Sequence, residues 1–307
     1  MITANAMILH RPSLHSRAAL TALCAVCFTV AGVALGAGAA EGSPLTVRER
    51  KIGDETAVVV SNDSYELVIR PRAGATISSL RFGSAERTEC TDWVPGAPSG
   101  LLQEAHTADF PYELVSKDVT EEAACLEFVG SSGPLCVRKM FRFLRGSPSF
   151  SLEVRFENHS QFSLSGPDAP AFCSLVLPGA GKQTGHEYYC LGGASGVRAI
   201  TPATVLRELS PLRTSAGPVS WVAVTDPITR RGLGFVFLDG GASTMWAQRD
   251  RGGPVLVWWR YRPVPPGSAL TTQLRLVPLD GFAAVSSLTP QFVADTVRSR
   301  AADGTVT

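Results

Sequence analysis

Three adjacent residues, His186, Glu187 and Tyr188, bring together an imidazole, a carboxylate and a phenol. A histidine titrates near neutral pH and shuttles protons, and a nearby carboxylate can serve as a partner acid or base. Successive residues of a strand face opposite sides, so His186 and Glu187 reach one ligand only where the chain forms a loop. A structural or purely ligand-binding role for His186 is the alternative to catalysis. His106, in a long irregular stretch, is the second histidine that such chemistry would use.

A second group of candidates combines aromatic rings with guanidinium groups. Trp258 and Arg260 are two residues apart in an apolar, alternating stretch, so a strand would place both on one face and Trp259 on the other. Aromatic rings stack on the apolar faces of sugars, and arginine donates hydrogen bonds to hydroxyl or carboxylate oxygens. Ordinary sheet packing produces the same pattern and is the alternative. The residues expected to bind substrate are Trp246, Trp258, Arg260, Glu187 and Tyr188.

Neither a metal nor a cofactor is expected from the sequence. Beyond residue 40, no cysteine and histidine spacing is typical of a zinc site. The glycines are scattered rather than gathered into a phosphate-binding loop, and no serine lies in a nucleophile elbow. The formal net charge of +1 gives no electrostatic reason to expect nucleic acid or an anionic membrane surface as a partner.

Residues 1–40 have the pattern of a secretory signal peptide. Basic residues up to Arg17 precede an apolar stretch, 18–35, and small residues follow it. We expect cleavage near Ala39 or Ala40, export to the periplasm or the extracellular space, and no stable membrane insertion afterwards. A retained membrane anchor is the alternative, although anchors are usually longer and poorer in alanine and glycine.

Residues 41–307 are expected to form a single β-sandwich domain. Apolar and polar residues alternate most regularly along 150–157, which is typical of an antiparallel strand with one solvated face. Similar short runs recur along the chain between turns rich in glycine, proline and asparagine. The predicted fold class is all-β: a large antiparallel two-sheet sandwich with few short helices.

Two local structures near the C-terminus are also predicted. The stretches 255–261 and 270–276 alternate on either side of a turn rich in proline and glycine, which indicates a hairpin of two long strands. Further on, Thr289 and Pro290 are typical of a helix start.

Cysteines allow disulfides if the protein is exported, because the compartment is oxidising. Two of the seven cysteines, Cys24 and Cys27, lie in the predicted signal peptide. An odd number remains, so at least one thiol is unpaired or pairs elsewhere. Cys125 and Cys136 flank a turn and could bridge a hairpin, and buried unpaired cysteines are equally compatible with the sequence. The pairing stays open among Cys90, Cys125, Cys136, Cys173 and Cys190.

Three stretches of the chain resemble the galactose mutarotase-like supersandwich proteins. Residues 62–80 resemble the opening of that fold: a strand, a glycine-bearing turn and a strand that ends in I-x-S-L. Residues 140–160 resemble its paired long strands, which end in an x-N-x-S turn. Residues 266–272 resemble its late step from a P-G turn into a strand. The resemblance implies the supersandwich fold.

The family mostly handles carbohydrates, through sugar epimerases, accessory domains of glycoside hydrolases and polysaccharide lyases, and non-catalytic binders. The resemblance therefore implies an exported carbohydrate-binding protein whose partner is a mono- or oligosaccharide. A sugar epimerase or polysaccharide lyase-like enzyme that uses His186 with His106 or a tyrosine as acid and base is one alternative. A non-catalytic envelope assembly protein is another, because the periplasmic domain of membrane-protein insertases has this fold. Mutarotases share a late glutamate base, and no glutamate follows Glu208 here.

Overall fold

The computed structural model of the protein is nearly all β over the residues that it describes. It describes residues 33–34, 44–82, 103–104, 110–164, 171–174, 188–193, 196–201, 219–228, 230–238, 244–249, 255–260, 262–289 and 292–294. Within these ranges the one helical element is a 3-10 turn, Pro71–Ala73. No helix of this described part has the length and apolar composition that crossing a membrane requires. All of these residues lie in the unit Gly32–Thr307.

The strands of the described residues are numbered in chain order. The first ten are β1 (Val33–Ala34), β2 (Thr46–Ile52), β3 (Glu55–Ser61), β4 (Tyr65–Arg70), β5 (Thr76–Phe82), β6 (Gln103–Glu104), β7 (Tyr112–Val119), β8 (Ala123–Ser132), β9 (Leu135–Leu144) and β10 (Phe150–Asn158). The next ten are β11 (Ala171–Ser174), β12 (Tyr188–Gly193), β13 (Gly196–Ile200), β14 (Val219–Asp226), β15 (Arg231–Phe237), β16 (Thr244–Arg249), β17 (Val255–Arg260), β18 (Ala269–Asp280), β19 (Ser287–Leu288) and β20 (Phe292–Ala294).

Nine antiparallel strands form the larger sheet, in the order β13-β12-β14-β15-β18-β10-β9-β8-β7. Its two long central strands, β10 and β18, alternate between buried and exposed residues, as the sequence predicts for 150–157. The register sets buried residues against each other, so that Leu152 opposes Leu274. One face of this sheet is therefore mostly apolar, and the other is left to solvent or to a separate cover.

Four strands, β2-β3-β4-β5, form the second layer of the sandwich. Their inward residues belong to the same buried cluster as those of the larger sheet: Val58, Leu67 and Ile77 lie with Phe128 and Phe141. The two antiparallel sheets thus form the predicted two-sheet sandwich. The all-β fold class is confirmed.

Two polar contacts also join the layers. The side-chain amide of Asn62 donates to the carbonyl oxygen of Ser147 at 3.0 Å. The Nζ of Lys139, a residue that is fully buried in β9, donates to the carbonyl oxygen of Gly74 at 2.7 Å. Gly74 closes the 3-10 turn with φ of +75°, a left-handed conformation that glycine adopts without strain.

The C-terminal strands cover part of the outer face of the larger sheet. β1, β20 and β19 form a small sheet of their own, and Leu288 and Val293 are buried in a second cluster with Trp221 and Val236. Leu288 approaches Gly234 so closely that a Cβ there would lie 2.5 Å from its Cδ2, which explains the glycine at this position. The outer face over β8, β9 and β10 carries polar residues instead.

The predicted hairpin between 255–261 and 270–276 is wrong. β17 pairs with β16 and β11, whereas β18 pairs with β10 and β15. The prolines between the two strands lack the N–H groups that a continuing ladder needs. The chain is held there by Val264, which exchanges two backbone hydrogen bonds with Leu164 at 2.9 and 3.1 Å.

The helix predicted to start at Thr289 is also wrong, because Phe292–Ala294 forms β20. Val293 is almost fully buried in the outer cluster, and this tertiary packing outweighs the local helix signal. β20 pairs with Val33 and Ala34, two residues of the predicted signal segment. The remainder of 1–40 lies outside the described residues, and the signal peptide stays a prediction.

Cys125 and Cys136 do not form a bridge, although they lie in adjacent strands of the expected hairpin. The register opposes Cys125 to Arg142 and Cys136 to Ser131. At about 3.3 Å per residue, an offset of roughly six residues separates the two thiols by about 20 Å. A disulfide requires Cα atoms closer than about 7 Å. Cys190 is buried and forms no disulfide.

Candidate functional site

A four-stranded sheet, in the order β16-β17-β11-β6, brings two of the predicted binding residues side by side. Trp246 in β16 and Trp258 in β17 occupy directly opposed positions. The same row continues through Cys173 in β11 to Gln103 in β6. Opposed positions in antiparallel strands have Cα atoms about 4.5 to 5.5 Å apart, so the two tryptophan positions are immediate neighbours on one face.

Arg260 occupies the same face of this sheet. It lies two residues beyond Trp258 in β17 and opposes Thr244. Trp259, between them, falls on the opposite face, where it opposes Met245. One face of the sheet therefore presents two tryptophan positions and one arginine position within a span of two rows. Tryptophan and arginine at neighbouring positions are residue types suited to a polar, ring-shaped ligand.

The other predicted site residues do not join this face in the described part of the chain. His106, His186 and Glu187 lie outside the described residues, and their roles stay predictions. Tyr188 is the first residue of β12, in the nine-stranded sheet, where it opposes Thr225 of β14. It therefore belongs to a different sheet from Trp258.

A polar groove that the sequence did not reveal lies on the outer face of the nine-stranded sheet. Its volume is about 420 Å³, which is within the range of small-molecule sites. Its lining residues come from β8, β9 and β10: Glu127, Arg138, Met140, Glu153, Arg155 and Glu157. The alternation along 150–157 indicated a solvated face on one strand. The contribution of the two neighbouring strands depends on their register, which a local pattern does not contain.

Two cross-strand rows define the shape of the groove. Met140 forms the centre of one row, with Glu127 opposite it on one side and Glu153 on the other. In the next row, Arg138 directly opposes Arg155. Like charges placed opposite each other destabilise a sheet unless an opposite charge lies between them.

Glu157 supplies that opposite charge. Its Oε1 lies 2.8 Å from the Nε of Arg155 and 3.5 Å from the Nε of Arg138. Arg138 also donates through Nη1 to Glu127 at 3.2 Å. This hydrogen bond, with the nearby charge of Glu157, raises the pKa of the Arg138 guanidinium above its usual value. The Nε2 of His159 lies 3.5 Å from Glu157 at the rim.

At the other end of the groove, Arg142 and Gln273 hold the third carboxylate. The amide of Gln273 donates to Glu153 at 2.8 Å, and Nη2 of Arg142 lies 3.8 Å from the same carboxylate. Arg142 also donates to the Sδ of Met140 at 3.0 Å. The ionic groups of the groove are thus paired with one another. Among the residues that the structure describes, no group of three or more His, Cys, Asp or Glu side chains could hold a metal ion.

Several solved structures are similar in fold to this sandwich. The chain is similar to a Klebsiella pneumoniae protein assigned as an aldose 1-epimerase, with a TM-score of 0.53 and 11% identity over 80% of this chain and 91% of that chain. It is also similar to a galactose mutarotase-like protein from Clostridium acetobutylicum, with a TM-score of 0.48 and 9% identity over 77% and 99%. The fold is galactose mutarotase-like.

A third similar structure is about twice as long as the part that this chain matches. It is a TPR-domain containing protein from Parabacteroides distasonis, matched with a TM-score of 0.50 and 11% identity over 82% of this chain. The chain spans about half of that protein, 51% of its length. No family model matches the sequence, and no curated protein is similar to it in sequence. The similarity in structure confirms the distant resemblance to this fold that the sequence indicates.

Proposed function

We propose that this galactose mutarotase-like protein binds carbohydrate on the face of the four-stranded sheet that carries Trp246 and Trp258. The observation that carries the proposal is the directly opposed placement of these two positions in adjacent strands. Arg260 lies two residues beyond Trp258 on the same face. Two neighbouring tryptophans can form an apolar platform for a sugar ring, and a guanidinium beside them supplies hydrogen-bond donors for its hydroxyl groups.

The size of the expected effect follows from the area that stacking buries. A sugar ring that covers about 100 Å² of apolar surface gains about 2.5 kcal/mol at about 25 cal/mol per Å². Every 1.4 kcal/mol corresponds to about tenfold in affinity, so the loss of one stacking ring weakens binding by roughly tenfold or more.

The fold supports the choice of ligand class. One of the similar structures is assigned as an aldose 1-epimerase, whose substrates are sugars by name. The near-neutral charge of the chain also suits an uncharged ligand better than a polyanion. The proposal is of binding; an epimerase or lyase activity at His186 is the alternative that the experiment below separates.

We also propose that the protein is exported to the periplasm or the extracellular space. The apolar stretch 18–35, with basic residues before it and small residues after it, supports this proposal. N-terminal sequencing of the protein recovered from the envelope or the culture medium tests it. A mature chain that begins near Ala40 is expected, and an intact N-terminus in the cytosol would contradict export.

Calorimetric titration of the purified protein with a panel of mono- and oligosaccharides tests the binding proposal. At least one saccharide is expected to bind, with the affinity lost in Trp246→Ala and Trp258→Ala and kept in His186→Ala. Turnover of a saccharide that His186→Ala abolishes would favour the enzymatic alternative. Failure of every saccharide to bind would overturn the proposal.

A further inference from the structure

We propose that the groove over Met140 is a second carbohydrate site, specific for uncharged saccharides and separate from the tryptophan face. The groove is lined by β8, β9 and β10 of the nine-stranded sheet, whereas Trp246 and Trp258 lie in the separate sheet β16-β17-β11-β6. The proposal shares the ligand class of the proposed function but neither its residues nor its sheet. Either site can therefore bind without the other.

The charged groups that line the groove, together with the adjacent Arg142, are already paired with one another. They comprise three carboxylates and three guanidinium groups: Glu127, Glu153, Glu157, Arg138, Arg142 and Arg155. Each carboxylate has a guanidinium nitrogen within 3.8 Å. An anionic ligand has to compete with these carboxylates for the guanidinium groups, and a cationic ligand has to compete with the guanidinium groups for the carboxylates. A neutral ligand leaves all of them in place.

Hydroxyl groups fit this set of paired ions because each hydroxyl both donates and accepts a hydrogen bond. The side chain of Arg155 directs its Nε to Glu157 and is 52% exposed, so other guanidinium donors of the same residue are accessible from solvent. A carboxylate offers about four acceptor positions, of which an ion pair uses one or two. A polyol can thus bridge neighbouring carboxylates and guanidiniums along the groove.

The floor of the groove supplies the apolar contact that a sugar ring also needs. Met140 is the one apolar side chain of the lining, and the positions of Glu127 and Glu153 lie one strand away on either side. The two glutamate positions are therefore about 10 Å apart across the floor. The hydrogen bond from Arg142 to the Sδ of Met140 at 3.0 Å fixes the thioether between them. A ring seated on Met140 would have carboxylates at both edges.

A protein partner matches this surface less well. The centres of protein–protein interfaces are depleted of charged residues. Five of the six residues that line the groove are charged, and Met140 alone is apolar. An extended peptide of alternating charge is the strongest competing occupant, because it could exchange ion pairs with the groove, and it is included below as a probe.

Nuclear magnetic resonance can observe the two sites in one sample of the protein. A ¹³C-methyl label on methionine reports on Met140 at the floor of the groove, and ¹⁵N-indole signals report on Trp246 and Trp258. Met140→Leu, Trp246→Phe and Trp258→Phe assign the signals. The probes are neutral hexasaccharides of glucose, galactose and N-acetylglucosamine, and a lysine–glutamate alternating peptide.

The proposal expects the Met140 methyl signal to shift saturably with at least one neutral hexasaccharide. The affinity is expected to stay constant between about 50 and about 500 mM salt, because no net charge is neutralised. Glu153→Leu removes an acceptor at the groove edge and is expected to weaken this binding by roughly tenfold. The matched control is Glu66→Leu in β4 of the sheet β2-β3-β4-β5. Glu66 also takes part in an ion pair, and its side chain is 24% exposed against 27% for Glu153. This control is expected to leave the affinity unchanged.

A Met140 signal that no hexasaccharide moves overturns the second site. So does a signal that only the charged peptide moves, with an affinity that falls as salt rises. Indole shifts without a Met140 shift support the proposed function and overturn the second site. A Met140 shift without indole shifts supports the second site and contradicts the tryptophan face.

Discussion

The side-chain amide of Asn158 donates a hydrogen bond to the carbonyl oxygen of Val264 at 3.0 Å, across 106 residues of sequence. The backbone completes the connection: the N–H of Asn158 donates to Ser268, and its carbonyl oxygen accepts from Gly267, both at 2.9 Å. Asn158 ends β10, and Ser268 directly precedes β18. This buried anchor, rather than a hairpin with β17, positions β18 beside β10 at the centre of the nine-stranded sheet.

Replacing Asn158 by aspartate is expected to destabilise the protein by about 3 kcal/mol or more. The amide donates to the carbonyl oxygens of Phe162, Val264 and Pro265, and a carboxylate would set lone pairs and a buried charge against them. Urea unfolding measures the change. The neighbouring His159→Ala is the control, because its exposed side chain predicts a change within about 0.5 kcal/mol. A loss below about 1 kcal/mol in the aspartate variant would contradict the anchor.

Packing, more than charge, is expected to dominate the contribution of Lys139. The side chain is fully buried, donates to Gly74 and lies 5.3 Å from the centre of the Tyr112 ring. Lys139→Ala empties this space and is expected to cost about 3 kcal/mol. Lys139→Met fills it without the buried charge and is expected to cost less than half as much. Equal losses in the two variants, measured by urea unfolding, would show that the ammonium group matters more.

Burial of Tyr65 predicts a loss of stability in alkali. The ring is buried against Phe143 and Phe150, and burial raises the pKa of its phenol above the ordinary value of about 10. The unfolded chain therefore releases this proton at a lower pH than the folded protein, so stability falls as pH rises above about 10. Relative to Tyr65→Phe, the native protein is expected to lose about 1.4 kcal/mol per pH unit in that range. Parallel stability curves for the two proteins between about pH 9 and 11 would refute this.

Cys125 and Cys136 are expected to be alkylated separately, without any reductant. Burial raises the pKa of the Cys125 thiol, so iodoacetamide is expected to modify it more slowly at neutral pH than it modifies free cysteine. The rate should rise with pH as the thiolate forms. Mass spectrometry of tryptic peptides follows both sites, with Cys125→Ser as the control. A peptide that links Cys125 to Cys136 would contradict the register of β8 and β9.

The strands could be predicted from the sequence because their signal is local. The alternation along 150–157 gives β10 without any knowledge of its neighbours, and the same rule places Trp258 and Arg260 on one face. The partners of each strand are not local. β17 pairs with β16 rather than with β18, because the choice depends on which faces the whole sandwich buries.

The candidate sites also depend on strand pairing, which a local sequence pattern does not give. The opposition of Trp246 to Trp258 and the rows of the groove both depend on register between strands, which no single stretch contains. For Cys125 and Cys136, the position of the turn alone could have shown that the two residues do not lie opposite each other. A tight turn after Ser132 already places Cys125 opposite Arg142, far from Cys136. The fold itself was recognisable because its short motifs are spread along the chain.

The most direct test of the proposed tryptophan face compares Trp258→Phe with Trp259→Phe. The two residues are adjacent in β17 but lie on opposite faces of the sheet, so the same change is made on the proposed binding face and behind it. The affinity for the tightest saccharide of the panel is measured for both variants by calorimetry, after circular dichroism has shown that both are folded. Trp258→Phe is expected to weaken binding by roughly five- to tenfold while Trp259→Phe leaves it within about twofold. Equal effects of the two changes, or a larger effect of Trp259→Phe, would contradict a carbohydrate site on the Trp246–Trp258 face.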